Sequence, residues 1–478
     1  MSLKNKIINV KAEKIVFPGR SLCRCSDGVA LFTEGLLPDE IADVLVVKDK
    51  KTFREGLLKN IASKSNKRIV PLCPSFGLCG GCSFQNTSYE NQIEYKQEYI
   101  SELLNFTEAK ISKLLTSPQI WYYRNKMEFS FFSPFDEKDK GESRVACVNS
   151  GMTNSKQEYN TGENIVDLGL HCKGSFNRYI SVPPCFIADK DFLQAVEIVK
   201  EFVKKNNLSA YNNKTHKGFL RHLVLRKAKN NNQFLINLVT NTVDCGSSFL
   251  ELLIKELGEF SHSIYWTYNS RKSDAVIVDK LTLVYGKPFI TEKLNVGGQD
   301  YFFNISPFSF FQTNSKGTEI LYNEIFRLLS PSKDDLLLDL YCGTGTIGIS
   351  IAKNVKKVIG IEQVKQAIVN AKENALINNI SNAEFYASTV EDWVKENENN
   401  FDAIVVDPPR SGLTKGIIKF LLESKAKRII YVSCNLSTLA RDLKLTIENN
   451  KYKIIKITPV DMFPQTYHIE VVVLLELQ

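Results

Sequence analysis

The chain has 478 residues, 43% of them apolar and 24% charged, the usage of an ordinary folded protein rather than a disordered or fibrous one. Lysine and arginine number 61 against 53 acids, a net charge of +8 that suits a polyanionic partner without proving one. No stretch of about 18 apolar residues exists to span a bilayer, and charge interrupts the first residues too often for a signal peptide, so a cytoplasmic protein with no membrane partner is expected.

Residues 1–66 alternate short apolar runs with turn residues, as in Lys14-Ile-Val-Phe-Pro-Gly-Arg20 and Ile41-Ala-Asp-Val-Leu-Val-Val47. That pattern predicts a small β-barrel. The segment from Lys48 to Arg68 is strongly basic, through Lys50, Lys51, Arg54, Lys59, Lys64 and Lys67. It reads either as a phosphate-contacting surface or as a solvated face. Residues 67–300 mix helical periods, as in Phe192 to Val203, with strands such as Phe234 to Val239, and form an α+β domain. Within it Cys73, Cys79 and Cys82 are separated by five and two residues, with Gly80 and Gly81 to bend the chain around a metal. Spacing alone leaves zinc and an iron-sulfur cluster both open.

Residues 301–478 form the third domain. From Asp335 onward, short apolar strands at Leu336 to Leu340, Val358 to Glu362, Phe401 to Asp407 and Ile429 to Ser433 alternate with helical segments. This predicts a doubly wound parallel sheet, closed by an antiparallel pair at Lys453 to Val460 and His468 to Leu477. The first strand runs into Tyr341-Cys-Gly343-Thr-Gly345-Thr-Ile-Gly348, a glycine turn leading to a helix start. Gly343 and Gly345 let the backbone approach a ligand, and Glu362, ending the next strand, is placed to hold ribose hydroxyls. The turn lacks the dinucleotide spacing and resembles motif I of S-adenosylmethionine-dependent methyltransferases, with NAD the alternative. Asp339 is expected to brace the turn. Cys434, where a strand meets a helix N-terminus, is expected to have a lowered thiol pKa and to act as a nucleophile.

Ser433-Cys434-Asn435, Thr438-Leu-Ala-Arg-Asp442, Asp407-Pro-Pro-Arg410, Phe310-Phe-Gln-Thr-Asn314, Tyr123-Arg-Asn-Lys126 and Asp461-Met-Phe-Pro-Gln-Thr-Tyr-His-Ile-Glu470 all occur along one chain. Together they resemble the RNA 5-methyluridine methyltransferases, in particular the TRAM-domain, iron-sulfur branch typified by 23S ribosomal RNA enzymes. The resemblance implies an α/β fold: a Rossmann-like methyltransferase domain, an N-terminal TRAM or OB-like barrel and a central α+β iron-sulfur domain. It implies Cys434 as nucleophile, Glu470 as base, and donor binding by Gln312, Tyr341, Gly343, Gly345, Glu362 and Asp407. His468 is kept as a possible orienter on the strand of Glu470. The implied cofactors are S-adenosylmethionine and a 4Fe-4S cluster, the latter on Cys73, Cys79, Cys82 and Cys185, with Cys185 preferred to Cys172. Arg410 after the two prolines speaks against an adenine amino-methylating enzyme, and the lack of cysteine there against a 5-methylcytosine enzyme. The expected reaction is methylation of carbon 5 of a uridine in 23S ribosomal RNA by a monomeric enzyme. The same chemistry on the transfer RNA T-loop and a non-catalytic RNA-binding iron-sulfur assembly factor are the alternatives.

Overall fold

A computed structural model describes residues 2–134, 165–175, 178–182, 184–242, 247–272, 278–397, 400–448 and 450–478. Two compact units divide the chain: Met1–Leu72, Gly81–Ile120 and Lys316–Gln478 form one, Cys73–Gly80 and Trp121–Ser315 the other. The segment 81–120, assigned from sequence to the central domain, thus shares a unit with the barrel and the C-terminal sheet. Among the described residues no helix is long and apolar enough to cross a membrane.

In the first unit, β1 (Ile7–Val16), β2 (Arg20–Arg24), β3 (Ala30–Glu34), β4 (Ile41–Asp49) and β5 (Phe53–Ser63) close a barrel in the order β1-β2-β3-β5-β4. Alternate residues of β4, Ala42, Val44 and Val46, point into its core beside Val10, Ala12, Cys23 and Leu31. The basic run divides in two. Arg54 is buried and held by Asp27 and Asp49, and Arg68 grips the fully buried Glu40 at 2.5 Å. Lys48 and Lys67 pair with Glu55 and Glu94, while Lys50, Lys51, Lys59 and Lys64 remain exposed. Half of the run is therefore engaged in ion pairs within its own unit. Next come α1 (Tyr89–Leu103), capped by the Ser88 side chain, and the two-residue strand β6 (Lys110–Ile111).

The second unit contains β7 (Lys126–Phe132), β8 (Asp167–His171), β9 (Tyr179–Ser181), α2 (Lys190–Lys205), β10 (Leu220–Ala228), β11 (Gln233–Thr240), α3 (Ser247–Leu257), β12 (Ser263–Tyr268), β13 (Lys280–Gly286), and the hairpin β14 (Ile290–Val296) and β15 (Gln299–Ile305). Seven of these strands form one sheet, in the order β13-β12-β11-β10-β7-β8-β9. The apolar stripe of α2, Phe192, Ala195, Val196, Val199, Phe202 and Val203, covers one face, packing on Phe129, Leu223, Leu225 and Ile236.

The first unit is completed by α4 (Ser315–Leu329), β16 (Leu336–Leu340), α5 (Thr346–Ala352), β17 (Lys357–Glu362), α6 (Lys365–Ile377), β18 (Ala383–Ala387), α7 (Val390–Glu396), β19 (Ala403–Val406), α8 (Lys415–Glu423), β20 (Arg428–Ser433), α9 (Leu436–Ile447), β21 (Tyr452–Val460) and β22 (Glu470–Leu477). The sheet order is β18-β17-β16-β19-β20-β22-β21-β6. Strands β18 to β20 are parallel, and β22 enters antiparallel to both β20 and β21, as the sequence pattern predicts. Two details differ. Strand β6, drawn from outside the domain, adds a parallel edge to β21, and β22 begins at Glu470, leaving His468 in the preceding loop against the rings of Phe463 and Tyr467. Between β16 and β19 the chain switches direction across the sheet, which opens a crevice at the carboxyl ends of the strands.

Candidate active site

The glycine turn lies at the carboxyl end of β16. Tyr341 adopts φ 64°, Gly343 φ 54° and Gly345 φ 76°, three left-handed residues that reverse the chain into α5. Asp339 is fully buried, and its Oδ2 accepts from the Gly348 N–H at 2.9 Å. A β-carbon at Gly348 would meet that oxygen at 2.9 Å, so Asp339 braces the turn as expected. Burial lifts its carboxyl to about 7. Glu362 ends β17 and accepts from the Val364 N–H at 2.8 Å. Tyr322, not singled out by sequence, is buried beneath the turn with its hydroxyl 2.7 Å from that of Thr346. Its signal was hidden because a tyrosine on an amphipathic helix reads as packing.

Cys434 follows the last residue of β20, and Glu470 opens β22. The register pairs Ser433 with Val471, so one step further Cys434 and Glu470 stand opposite each other on neighbouring strands. Asp407 follows β19, the next strand of the sheet. The expectation of a lowered thiol pKa is overturned. Burial first, then the charges of Glu470 and Asp407, push the Cys434 thiol up to about 11, against the pull of Arg410. Asn435, the next residue, caps α9 by accepting from the Ser437 N–H. Burial raises Asp407 to about 7 and, with the charge of Asp407, holds Glu470 well above the usual carboxylate range.

Both loops are strapped in place. Asn435 Nδ2 and Thr438 Oγ1 donate to the Arg410 carbonyl at 2.8 and 3.3 Å. Asp442, fully buried on α9, accepts from Tyr431 Oη and the Leu413 N–H, both at 2.7 Å. Arg441 pairs with Asp442 and donates to the carbonyls of Ser411 and Leu413. Arg441 therefore holds the Asp407 loop onto the cysteine helix. The loop before Glu470 is pinned by α1: Lys96 makes a buried ion pair with Asp461 at 2.8 Å, Tyr89 Oη donates to the same carboxylate, and Gln92 and Gln465 exchange hydrogen bonds. The backbone N–H groups of Ser83 and Phe84 both donate to the Gln465 carbonyl.

A family model described as tRNA (uracil-5-)-methyltransferase matches residues 276–478. Over 480 residues the chain is 38% identical to an RNA methyltransferase of Caldanaerobacter subterraneus, covering 99% of each protein. A second RNA methyltransferase, from Fusobacterium nucleatum, is 36% identical over all of this chain and 98% of its own length. The chain belongs to the RNA uracil-5 methyltransferase family. Among solved structures it is similar to the tRNA (uracil-54, C5)-methyltransferase of Pyrococcus abyssi in complex with S-adenosyl-L-homocysteine. That match has a TM-score of 0.72 and 27% identity, over 98% of this chain and 100% of the other.

This family membership makes the chain an S-adenosylmethionine-dependent RNA methyltransferase. Of the residues expected to form its site, Tyr341, Gly343, Gly345, Glu362, Asp407, Cys434 and Glu470 all lie at one end of the C-terminal sheet in the first unit. Gln312 lies in the second unit, where Asn125 Nδ2 donates to its carbonyl at 3.0 Å. Cys73, Cys79 and Cys185 also belong to the second unit, close enough that Cys185 and Cys79 each raise the Cys73 thiol, which burial already pushes up to about 11. Cys172 pairs by backbone with Cys79, so it neighbours the same loop. Cys82 falls in the first unit. Among the described residues no group of three or more histidine, cysteine or acidic side chains is arranged to hold a single metal ion.

Proposed function

We propose that the enzyme methylates carbon 5 of a uridine in 23S ribosomal RNA through a temporary bond between Cys434 and the base. The observation that carries this reading is the pairing of β20 with β22, which sets Cys434 against Glu470 beside Asp407. Carbon 5 of uracil is a weak nucleophile until a thiolate adds to carbon 6 and makes an enolate. Cys434 Sγ forms that bond. S-adenosylmethionine supplies an electrophilic sulfonium methyl, and its positive charge favours the ionised forms of the acids around it. Glu470 then takes the proton from carbon 5, and Cys434 leaves by elimination. Tyr341, Glu362, Asp407, Gln312 and the Gly343 to Gly345 backbone hold the donor in this reading. The target uridine is unpaired or flipped out, since carbon 6 inside a stack leaves no room for sulfur.

The reading assigns residues 1–66 to RNA grip as a TRAM-like barrel, 67–300 to a cluster-bearing, RNA-binding domain and 301–478 to catalysis. Choice of 23S RNA is supported by the barrel together with Cys73, Cys79, Cys82 and Cys185, the set that marks the resembled branch. Their thiolate chemistry suits a 4Fe-4S cluster, which has no step in the transfer because the methyl moves with an electron pair. A second reading, methylation of the transfer RNA T-loop, is favoured by the archaeal tRNA enzyme's likeness over nearly the whole chain. Labelled donor incubated with separate ribosomal and transfer RNA pools, followed by mapping of the product, decides between them. Cys434→Ala is expected to abolish transfer to either pool, and Glu470→Gln to slow product release by roughly 10²- to 10⁴-fold while the covalent adduct accumulates on denaturing gels. Adduct formation by Cys434→Ala, or none by wild type with 5-fluorouridine RNA, refutes the mechanism. Visible absorption and iron content after anaerobic purification test the cluster, with colourless zinc-containing protein the refuting result.

A further inference from the structure

Two cations share the face of the second unit's sheet that α2 does not cover, and a third lies beside them. In the β7–β10 ladder Lys126 is paired directly with Arg226, so both side chains leave the same face a few ångströms apart. Arg124 lies just before β7, tied by isolated backbone bridges to Ala188 and Asn314, and its charge is felt at Lys126. Met127 and Phe129, with the other parity, point into the apolar core with Leu223 and Leu225. Like charges placed opposite each other in a ladder are destabilising, and this pair is also largely withdrawn from water. Burial lowers the Lys126 ammonium, with Arg226 and then Arg124 adding to it against Glu128. Burial alone lowers Arg226 to about 10.

Their hydrogen bonding is incomplete. Arg226 is only 5% exposed, donates one Nη to the Ser309 carbonyl at 2.5 Å, and has its Nε buried without an acceptor among the described residues. Arg124 Nε is in the same state, and its Nη1 reaches only the Met127 sulfur, at 4.0 Å. None of the three cations makes an ion pair among the described residues. Arg124 and Lys126 are half-exposed and give the access that Arg226 lacks. A protein that buries an arginine normally satisfies its fork, so this arrangement stores unfilled donors for an anion.

We propose that Arg124, Lys126 and Arg226 form a binding site for a phosphodiester of the RNA substrate. The proposal rests on the family reading that the substrate is RNA. The segment bearing the site is rigid where it matters: Asn125 Nδ2 donates to both the Gln312 carbonyl and Ser315 Oγ at 3.0 Å, and Ser315 in turn donates to the buried Glu292 at 2.5 Å. A phosphate held here is therefore anchored to the same short stretch, Ser309 to Ser315, that carries Gln312. A small anionic group of the donor is the competing occupant, and the two ligands separate by experiment.

Binding of the RNA substrate is measured as a function of salt in a Cys434→Ala background, which removes chemistry from the readout, with calorimetry of S-adenosyl-L-homocysteine alongside. Lys126→Gln is expected to weaken RNA binding roughly tenfold at moderate salt and to lower the slope of log affinity against log salt by about 1. Nucleoside affinity is expected to stay within about twofold. Arg226→Lys, which keeps the charge but loses the fork, is the second variant and is expected to weaken RNA binding while preserving the slope. Unchanged RNA affinity and slope in both variants overturns the proposal. Loss of S-adenosyl-L-homocysteine affinity with RNA binding intact also overturns it, by assigning the cations to the donor. Failure of wild type to methylate uracil in the pool assay refutes the proposed reaction while leaving the salt measurement interpretable.

Discussion

In the proposed reaction Cys434 starts as a protonated thiol. With its pKa pushed up to about 11, only a small fraction is thiolate at neutral pH, and that fraction rises about tenfold per pH unit. Single-turnover trapping on 5-fluorouridine RNA in the absence of donor is accordingly expected to accelerate steadily from pH 6 to 9. A plateau near pH 7 would show the thiol to be activated already in the empty enzyme. The position of Cys434 at a strand end of the methyltransferase sheet was legible in the sequence from the apolar run that precedes it. Its electrostatics were not legible. They come first from burial and then from Glu470 and Asp407, which sheet pairing brings near but which local pattern cannot place.

At the scale of elements, the Asp407 loop and the cysteine helix behave as one piece through Asp442. Gly412 sits where this joint is tightest: φ is +74°, and a β-carbon would lie 2.5 Å from Asp442 Oδ2, 2.7 Å from Arg441 Nη2 and 2.8 Å from Thr438 Cβ. Gly412→Ala is expected to cost about 1–3 kcal/mol in denaturant unfolding and to lower transfer more than stability, since the joint must part to admit the methyl group. Equal losses in both measurements would make the joint purely structural. The alternation of strands and helices from Asp335 onward was readable because parallel strands form short apolar runs between amphipathic helices. Strand β6 was not, being two residues long and defined only by its neighbour β21. The split of the basic run had the same cause, because Asp27, Glu40 and Asp49, which claim Arg54 and Arg68, are remote from them or lie in other strands.

For the whole molecule, the buried carboxyls tie folding to pH. Asp339 and Asp407 titrate near 7 when folded and near 4 when unfolded, so the folded chain holds protons that the unfolded chain has released. Their stabilising contribution is complete below about pH 4 and is lost as pH rises through about 7. The donor-free protein is therefore expected to lose melting temperature between pH 5.5 and 8, and the S-adenosylmethionine complex to lose less, because the sulfonium charge compensates Asp407. Parallel curves for the two states would place the donor's charge elsewhere.

The seat of Glu470 is built from segments far apart in the sequence. Gln92 and Gln465 clasp each other across 373 positions, and Ser83 and Phe84 share the Gln465 carbonyl. Placement of this acid is thereby made conditional on folding at a distance, because the loop that precedes β22 takes its position in part from α1.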